Sequence, residues 1–295
     1  MALELSQGSR TTIKWLGFTL SLLAVAFVVR QFVQYWQEIR LADLGLFEWL
    51  VLIGMAIAYA LISILLGLAW RKILQHLTIR ANLRWAIHVY GFSQLGKYLP
   101  GNIFHFAGRQ VMGMAAGYSG KKLALSTAFE LGLLIVSGIL TALLLLPLVG
   151  FSEWVSMLMY GLSLGLICLL LRYRASLHLS HALLMHSAFL LLTGLLFVLI
   201  AGLLTDNQAF DSGLTLLILS SYVVAWLCGL LVPGAPAGMG IRELVLLFLL
   251  GSWLSSSELL LAVVLSRVVS LLGDLLFFVG AIQFKPRIAA QGAAQ

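Results

Sequence analysis

A chain of 295 residues that is 61% hydrophobic and 10% charged, with a mean hydropathy of +1.04, is too apolar for a soluble domain and reads as a polytopic helical membrane protein. Its net charge of +7 does not point to nucleic acid, because the basic residues fall in short loops between apolar runs rather than on one face or tail. The two cysteines, Cys168 and Cys228, each lie within an apolar stretch and give neither a disulfide framework nor a metal-binding pair.

In chain order, apolar runs near 12–36, 47–70, 123–147, 154–171, 182–204 and 258–284 are long enough to cross a bilayer. The first follows Arg10 and Lys14 and contains Ala24-Val25-Ala26, as a signal peptide would, but it stays apolar towards Trp36 and reads as an uncleaved span. Two further apolar regions, near 85–117 and 213–252, are interrupted by Pro100-Gly101 and Pro233-Gly234. Proline removes a backbone donor and glycine adopts conformations other residues avoid, so each pair predicts a broken helix. Hydrocarbon allows such a break only where protein or a water-filled cavity satisfies the freed backbone groups.

The loops orient these segments. If each broken region enters and leaves on one side, the inner loops hold Arg10, Lys14, Arg71, Lys72, Arg80, Arg84, Lys121, Lys122, Arg172, Arg174, Lys285 and Arg287, and the outer loops hold only Arg40. That asymmetry predicts both termini in the cytoplasm of an inner-membrane protein. Full crossing at 85–117 would instead place Lys121, Lys122, Arg172 and Arg174 outside. The expected architecture is therefore all-α: one transmembrane domain over 1–295, with about six full spans and two re-entrant helical pairs. Its halves, approximately 1–150 and 151–284, have the same element order but begin on opposite sides, as inverted repeats do.

An arginine lies nine residues after each proline, Arg109 after Pro100 and Arg242 after Pro233. Lys97, Glu130, Glu243, Arg267 and Asp274 also fall within membrane segments, where a charge facing lipid costs about 2.5–3.5 kcal/mol. These seven are the candidate substrate-binding residues, with Arg109 and Arg242 foremost because a guanidinium grips phosphate oxygens at two points. Pro100, Gly101, Pro233, Gly234, Gly238 and Gly240 form the candidate hinges and backbone surface, the glycines allowing close approach to a ligand. Glu130 and Arg267 occupy nearly equivalent places in the two halves and are expected to neutralise one another. Arg267 and Asp274, two turns apart on one helix face, are competing partners.

Gly96-Lys97-Tyr98-Leu99-Pro100-Gly101-Asn102 with Gly108-Arg109 resembles the first signature of the flippase-like integral membrane family named for the transmembrane region of lysylphosphatidylglycerol synthase. Val232-Pro233-Gly234-Ala235-Pro236-Ala237-Gly238-Met239-Gly240-Ile241-Arg242-Glu243 resembles its second. The resemblance implies a membrane domain that moves lipids with charged or sugar-bearing headgroups between leaflets, within lipid-modification or surface-polysaccharide systems. It implies membrane lipids or lipid-linked glycans as ligands, and a membrane glycosyltransferase or lipid-modifying enzyme as partner. The soluble aminoacyl-transfer domain of the synthases does not follow these motifs here, so lysyl transfer is not expected.

The functional expectation is translocation of an anionic lipid or a lipid-linked sugar or polyprenyl-phosphate intermediate, without a cofactor, metal or catalytic constellation. The alternatives are a non-transporting accessory of a lipid-modifying enzyme and a membrane-embedded transferase. Gly91 to Tyr98 nearly matches a nucleotide-binding loop, but tyrosine stands where a small hydroxyl must reach magnesium. His178, His181 and His186 lack a carboxylate or cysteine to complete a metal site and read as interfacial histidines. Gly113/Gly117 and Gly161/Gly165 read as helix-packing pairs.

Overall fold

The computed structural model describes residues 45–99, 103–205, 210–231 and 240–284. The span expected at 12–36 lies outside these residues, as do Pro100, Gly101, Pro233, Gly234 and Gly238. Every regular element among the described residues is helical. They are α1 (Leu46–His76), α2 (Leu83–Gln94), α3 (Phe104–Ala115), α4 (Gly120–Thr141), α5 (Glu153–Arg174), α6 (Leu177–Leu204), α7 (Ser212–Leu231), α8 (Ile241–Leu250) and α9 (Ser256–Gln283). Short 3-10 turns extend α2 over Leu95–Tyr98 and α4 over Ala142–Val149.

Local chemistry sets many of the ends. The Asn82 side chain accepts the Arg84 N–H at 3.0 Å and starts α2, and the Ser176 hydroxyl accepts from Leu179 at 3.3 Å at the start of α6. Ser255 and Glu258 form a reciprocal capping box on α9. After α4, Pro147 and a left-handed Gly150 (φ 91°) stop the helix before Ser152 caps α5.

Six described helices are long and apolar enough to cross a membrane: α1, α4 with its 3-10 extension, α5, α6, α7 and α9. This is an all-α, multi-pass membrane protein. The membership of that set differs from the sequence expectation, which reads α7 as one limb of a re-entrant pair. The second interruption is off-centre: it leaves 20 residues in α7 and 10 in α8, whereas the first leaves 12 in each of α2 and α3. At 1.5 Å per residue α7 is about 30 Å long, the thickness of the hydrocarbon core.

The bundle has a basic end. Lys122 Nζ donates to Thr78 Oγ1 at 2.6 Å, which joins the C-terminal end of α1 to the start of α4. Since α2 starts beside the first and α3 finishes beside the second, the α2–α3 hairpin enters and leaves at this end. His88 Nδ1, 2.8 Å from the Ala281 carbonyl, brings the last turn of α9 here as well. At the other end Ser212 donates to Glu153 at 3.0 Å, and Leu52, Leu144, Leu217, Leu250, Leu254 and Leu259 share one core cluster. The α7–α8 hairpin therefore enters and leaves at the opposite end from α2–α3.

The packing pairs are exchanged between halves. α1 packs against α6; α2 against α9 has its counterpart in α7 against α4, and α1 against α9 in α6 against α4. α5 stands apart: only 6% of its apolar window is buried, against 39–61% in the other five. Among the described residues, most of its apolar surface is uncovered.

Candidate functional site

Each hairpin carries its arginine on the returning limb. Gly96 lets the limbs of the first close: a Cβ there would lie 2.8 Å from the His105 amide nitrogen on α3. Closure brings Arg109 of α3 against Glu130 of α4, with Nη1 2.8 Å from Oε1 and 2.7 Å from Oε2. Tyr90 of α2 donates to Oε1 at 2.7 Å. The rings of Tyr90, Phe106 and Trp70 lie 4.3, 5.0 and 5.6 Å from the guanidinium carbon. Arg109 and Glu130 are 2% and 1% exposed, so this pair is sealed. His186, wholly buried nearby, has neither ring nitrogen hydrogen-bonded among the described residues.

The second constellation lies where the flanks of the two hairpins meet on α9. Asp274 receives Lys97 Nζ at 2.5 Å and the Tyr98 hydroxyl at 2.5 Å, both from the end of the first hairpin's entering limb. One turn-pair earlier on α9, Arg267 donates through Nε and Nη2 to Glu243 Oε1 at 3.0 and 2.7 Å, reaching the returning limb of the second hairpin. Arg242, next to Glu243, has Arg267, Lys97, Tyr59, Tyr98 and Tyr222 within electrostatic reach and stands 5.9 Å over the Trp226 ring. It makes no hydrogen bond or ion pair among the described residues. This group is partly open, with Lys97 19% and Glu243 25% exposed.

Three cations, Lys97, Arg242 and Arg267, face two carboxylates, Glu243 and Asp274, which leaves one net positive charge. Arg242 Nε, Glu243 Oε2 and Asp274 Oδ1 are all buried without a hydrogen-bond partner among the described residues. Such atoms are costly to leave unpaired, and Arg109 Nη2 and Glu130 Oε2 of the sealed pair are likewise buried without a hydrogen-bond partner among the described residues.

Several sequence expectations change on these contacts. Glu130 and Arg267 do not neutralise one another. They hold equivalent places on α4 and α9, and each faces the hairpin of its own half, Glu130 meeting Arg109 and Arg267 meeting Glu243. Nor do Arg267 and Asp274 compete, since each has a separate partner. Gly240 has φ +83°, a left-handed backbone that favours glycine, with no described atom within 4 Å of a would-be Cβ. Gly113 packs, a Cβ there meeting Leu123 at 2.6 Å, whereas Gly117 is a left-handed turn (φ +87°) and Gly161 and Gly165 meet no neighbour among the described residues. His186 is a core residue, not an interfacial one. Gly91–Gln94, the start of the nucleotide-loop look-alike, is helical.

The sequence reading missed the aromatic hydroxyls, Tyr90 and Tyr98, that share the two buried carboxylates. Tyr98 stands beside Lys97 in the first Pro-Gly motif, and a buried carboxylate needs more donors than one cation provides; that was the available signal. No protein-family model matches this chain, and no curated protein matches it in sequence.

Proposed function

We propose that this protein carries an anionic lipid, or a lipid-linked sugar or polyprenyl-phosphate intermediate, between the leaflets of the inner membrane. The observation that supports this reading is Arg242, a cation without an ion-pair partner among the described residues, held where the two hairpins meet. A lone arginine in a membrane interior is expensive, and it is retained where a ligand or water completes it. The headgroup would replace its hydration with Arg242 and the backbone of the hairpins while its chains stay in hydrocarbon. Two hairpins inserted from opposite ends favour an inverted repeat over the approximate halves 1–150 and 151–284, whose rocking would expose the site to each leaflet in turn. The basic end is the cytoplasmic one on this reading, and the chain is a carrier rather than an enzyme, working beside a membrane glycosyltransferase or lipid-modifying enzyme.

In vesicles reconstituted with labelled anionic lipid, Arg242→Ala is expected to abolish translocation while the protein remains folded and inserted. Arg242→Lys is expected to restore it only in part, because lysine keeps the charge and loses the two-point fork. Normal translocation by the alanine variant would remove Arg242 from the site. Wild-type protein that moves no lipid, yet is required by a partner enzyme, would make this an accessory. Impermeant thiol reagents applied outside should label a cysteine placed at Glu153 and not one at Lys121.

A further inference from the structure

The basic end contains a crevice of about 650 Å³ between the last turns of α1, the 77–82 loop and the start of α6. Its cationic lining is Arg71 and Arg80, with the His178 imidazole beside them, and no acidic residue lines it among the described residues. The nearest compensation is also missing, because the described carboxylates (Glu48, Glu130, Glu153, Asp211, Glu243, Glu258 and Asp274) lie in the interior or towards the opposite end. Arg71 is oriented by its Nε, which donates to the Ala81 carbonyl at 3.2 Å, and its two terminal nitrogens have no partner among the described residues. Gln75 Oε1 and His178 Nδ1, both on lining residues, are buried without hydrogen bonds among the described residues. The wall at Thr78 is held in a left-handed conformation, φ 63°, by a chain turn that Lys122 closes from α4. A threonine backbone at that angle is uncommon and persists only where its surroundings fix it.

We propose that this crevice is a second anion site that binds a phosphate group at the cytoplasmic surface. It is separate from the mid-membrane constellation and does not depend on the reading of that one. A positively lined concavity of this size fits a phosphorylated headgroup, and Arg71 and Arg80 offer guanidinium forks for its oxygens. Its position at the bundle end makes a lipid phosphate of the inner leaflet and a soluble phosphate the two sources of the same chemistry.

The full chain, purified into nanodiscs of phosphatidylcholine with or without phosphatidylglycerol, distinguishes them. Retained lipid is read by native mass spectrometry, and inorganic phosphate binding by titration in the phosphatidylcholine discs. Phosphatidylglycerol retention that falls roughly tenfold or more in Arg71→Gln/Arg80→Gln supports a lipid headgroup. Phosphate binding in phosphatidylcholine discs that falls likewise supports a soluble ligand. Arg80→Gln alone removes an exposed side chain and keeps the test valid should the double variant fail to fold; it is expected to give a smaller loss in the same assay. Arg174→Gln, at the same end but outside the crevice, must leave binding unchanged. Equal losses from Arg174→Gln and Arg80→Gln, or no loss in the double variant, would overturn the site in favour of diffuse surface charge.

Discussion

The two hairpins start from the same sequence device and end in opposite electrostatic states. In the first, the arginine nine residues after the proline meets a glutamate on α4 and is sealed beneath aromatic rings. In the second, the position equivalent to that glutamate is Arg267, which takes the neighbouring Glu243, so Arg242 keeps its charge without a partner among the described residues. One exchange of charge between halves thus separates a sealed, paired arginine from one without an ion-pair partner among the described residues. Spacing along the chain identifies both, but the helix facing each decides its role.

The largest expected effect is on the sealed pair. Glu130→Ala would leave Arg109 buried and uncompensated, which costs about 3–5 kcal/mol, and Arg109→Ala would strand the carboxylate at similar cost. Both are expected to fall in detergent-solubilised thermal unfolding and in yield, while Arg242→Ala unfolds near the wild-type temperature. Equal losses from Arg109→Ala and Arg242→Ala would erase the distinction between the hairpins. An effect of intermediate size is expected where the first hairpin ties to α9. In a double-mutant cycle, Lys97→Ala and Asp274→Ala should couple by about 1–3 kcal/mol, since each leaves the other's charge unpaired. Additive effects would mean that the ion pair does not fasten the hairpin.

The smallest effects sharpen the comparison through glycine. Gly96→Ala pushes a methyl into the His105 backbone at 2.8 Å and is expected to cost about 1–3 kcal/mol by prising the hairpin limbs apart. Gly161→Ala, on α5, meets no atom of the described residues within 4 Å and is expected to change stability by less than about 0.5 kcal/mol. A large loss at Gly161 in unfolding measurements would show that α5 is covered in the functional assembly.

The fold class was legible because membrane insertion is settled by quantities a sequence carries directly: the length of apolar runs, the placement of Lys and Arg, and the helix-breaking chemistry of Pro-Gly. Residues 46–76 and 256–283 formed spans close to where hydropathy placed them. The charged candidates were legible for the same reason, since each costs too much to be idle in hydrocarbon. Their partners were not. Glu130 lies 21 residues from Arg109, and Lys97 lies 177 from Asp274, so neither pairing follows from a local repeat. Helix periodicity gives the face of a residue on its own helix but not which neighbour that face meets. The unequal 20- and 10-residue limbs of the second hairpin, by contrast, were legible in principle, since α7 ends at Leu231, two residues before Pro233, and α8 lies between Gly240 and Gly251. The sequence by itself determined a helical membrane protein with two interrupted segments and seven costly charges; the tertiary structure alone decided which charges cancel, because cancellation depends on angstrom-scale proximity between distant helices.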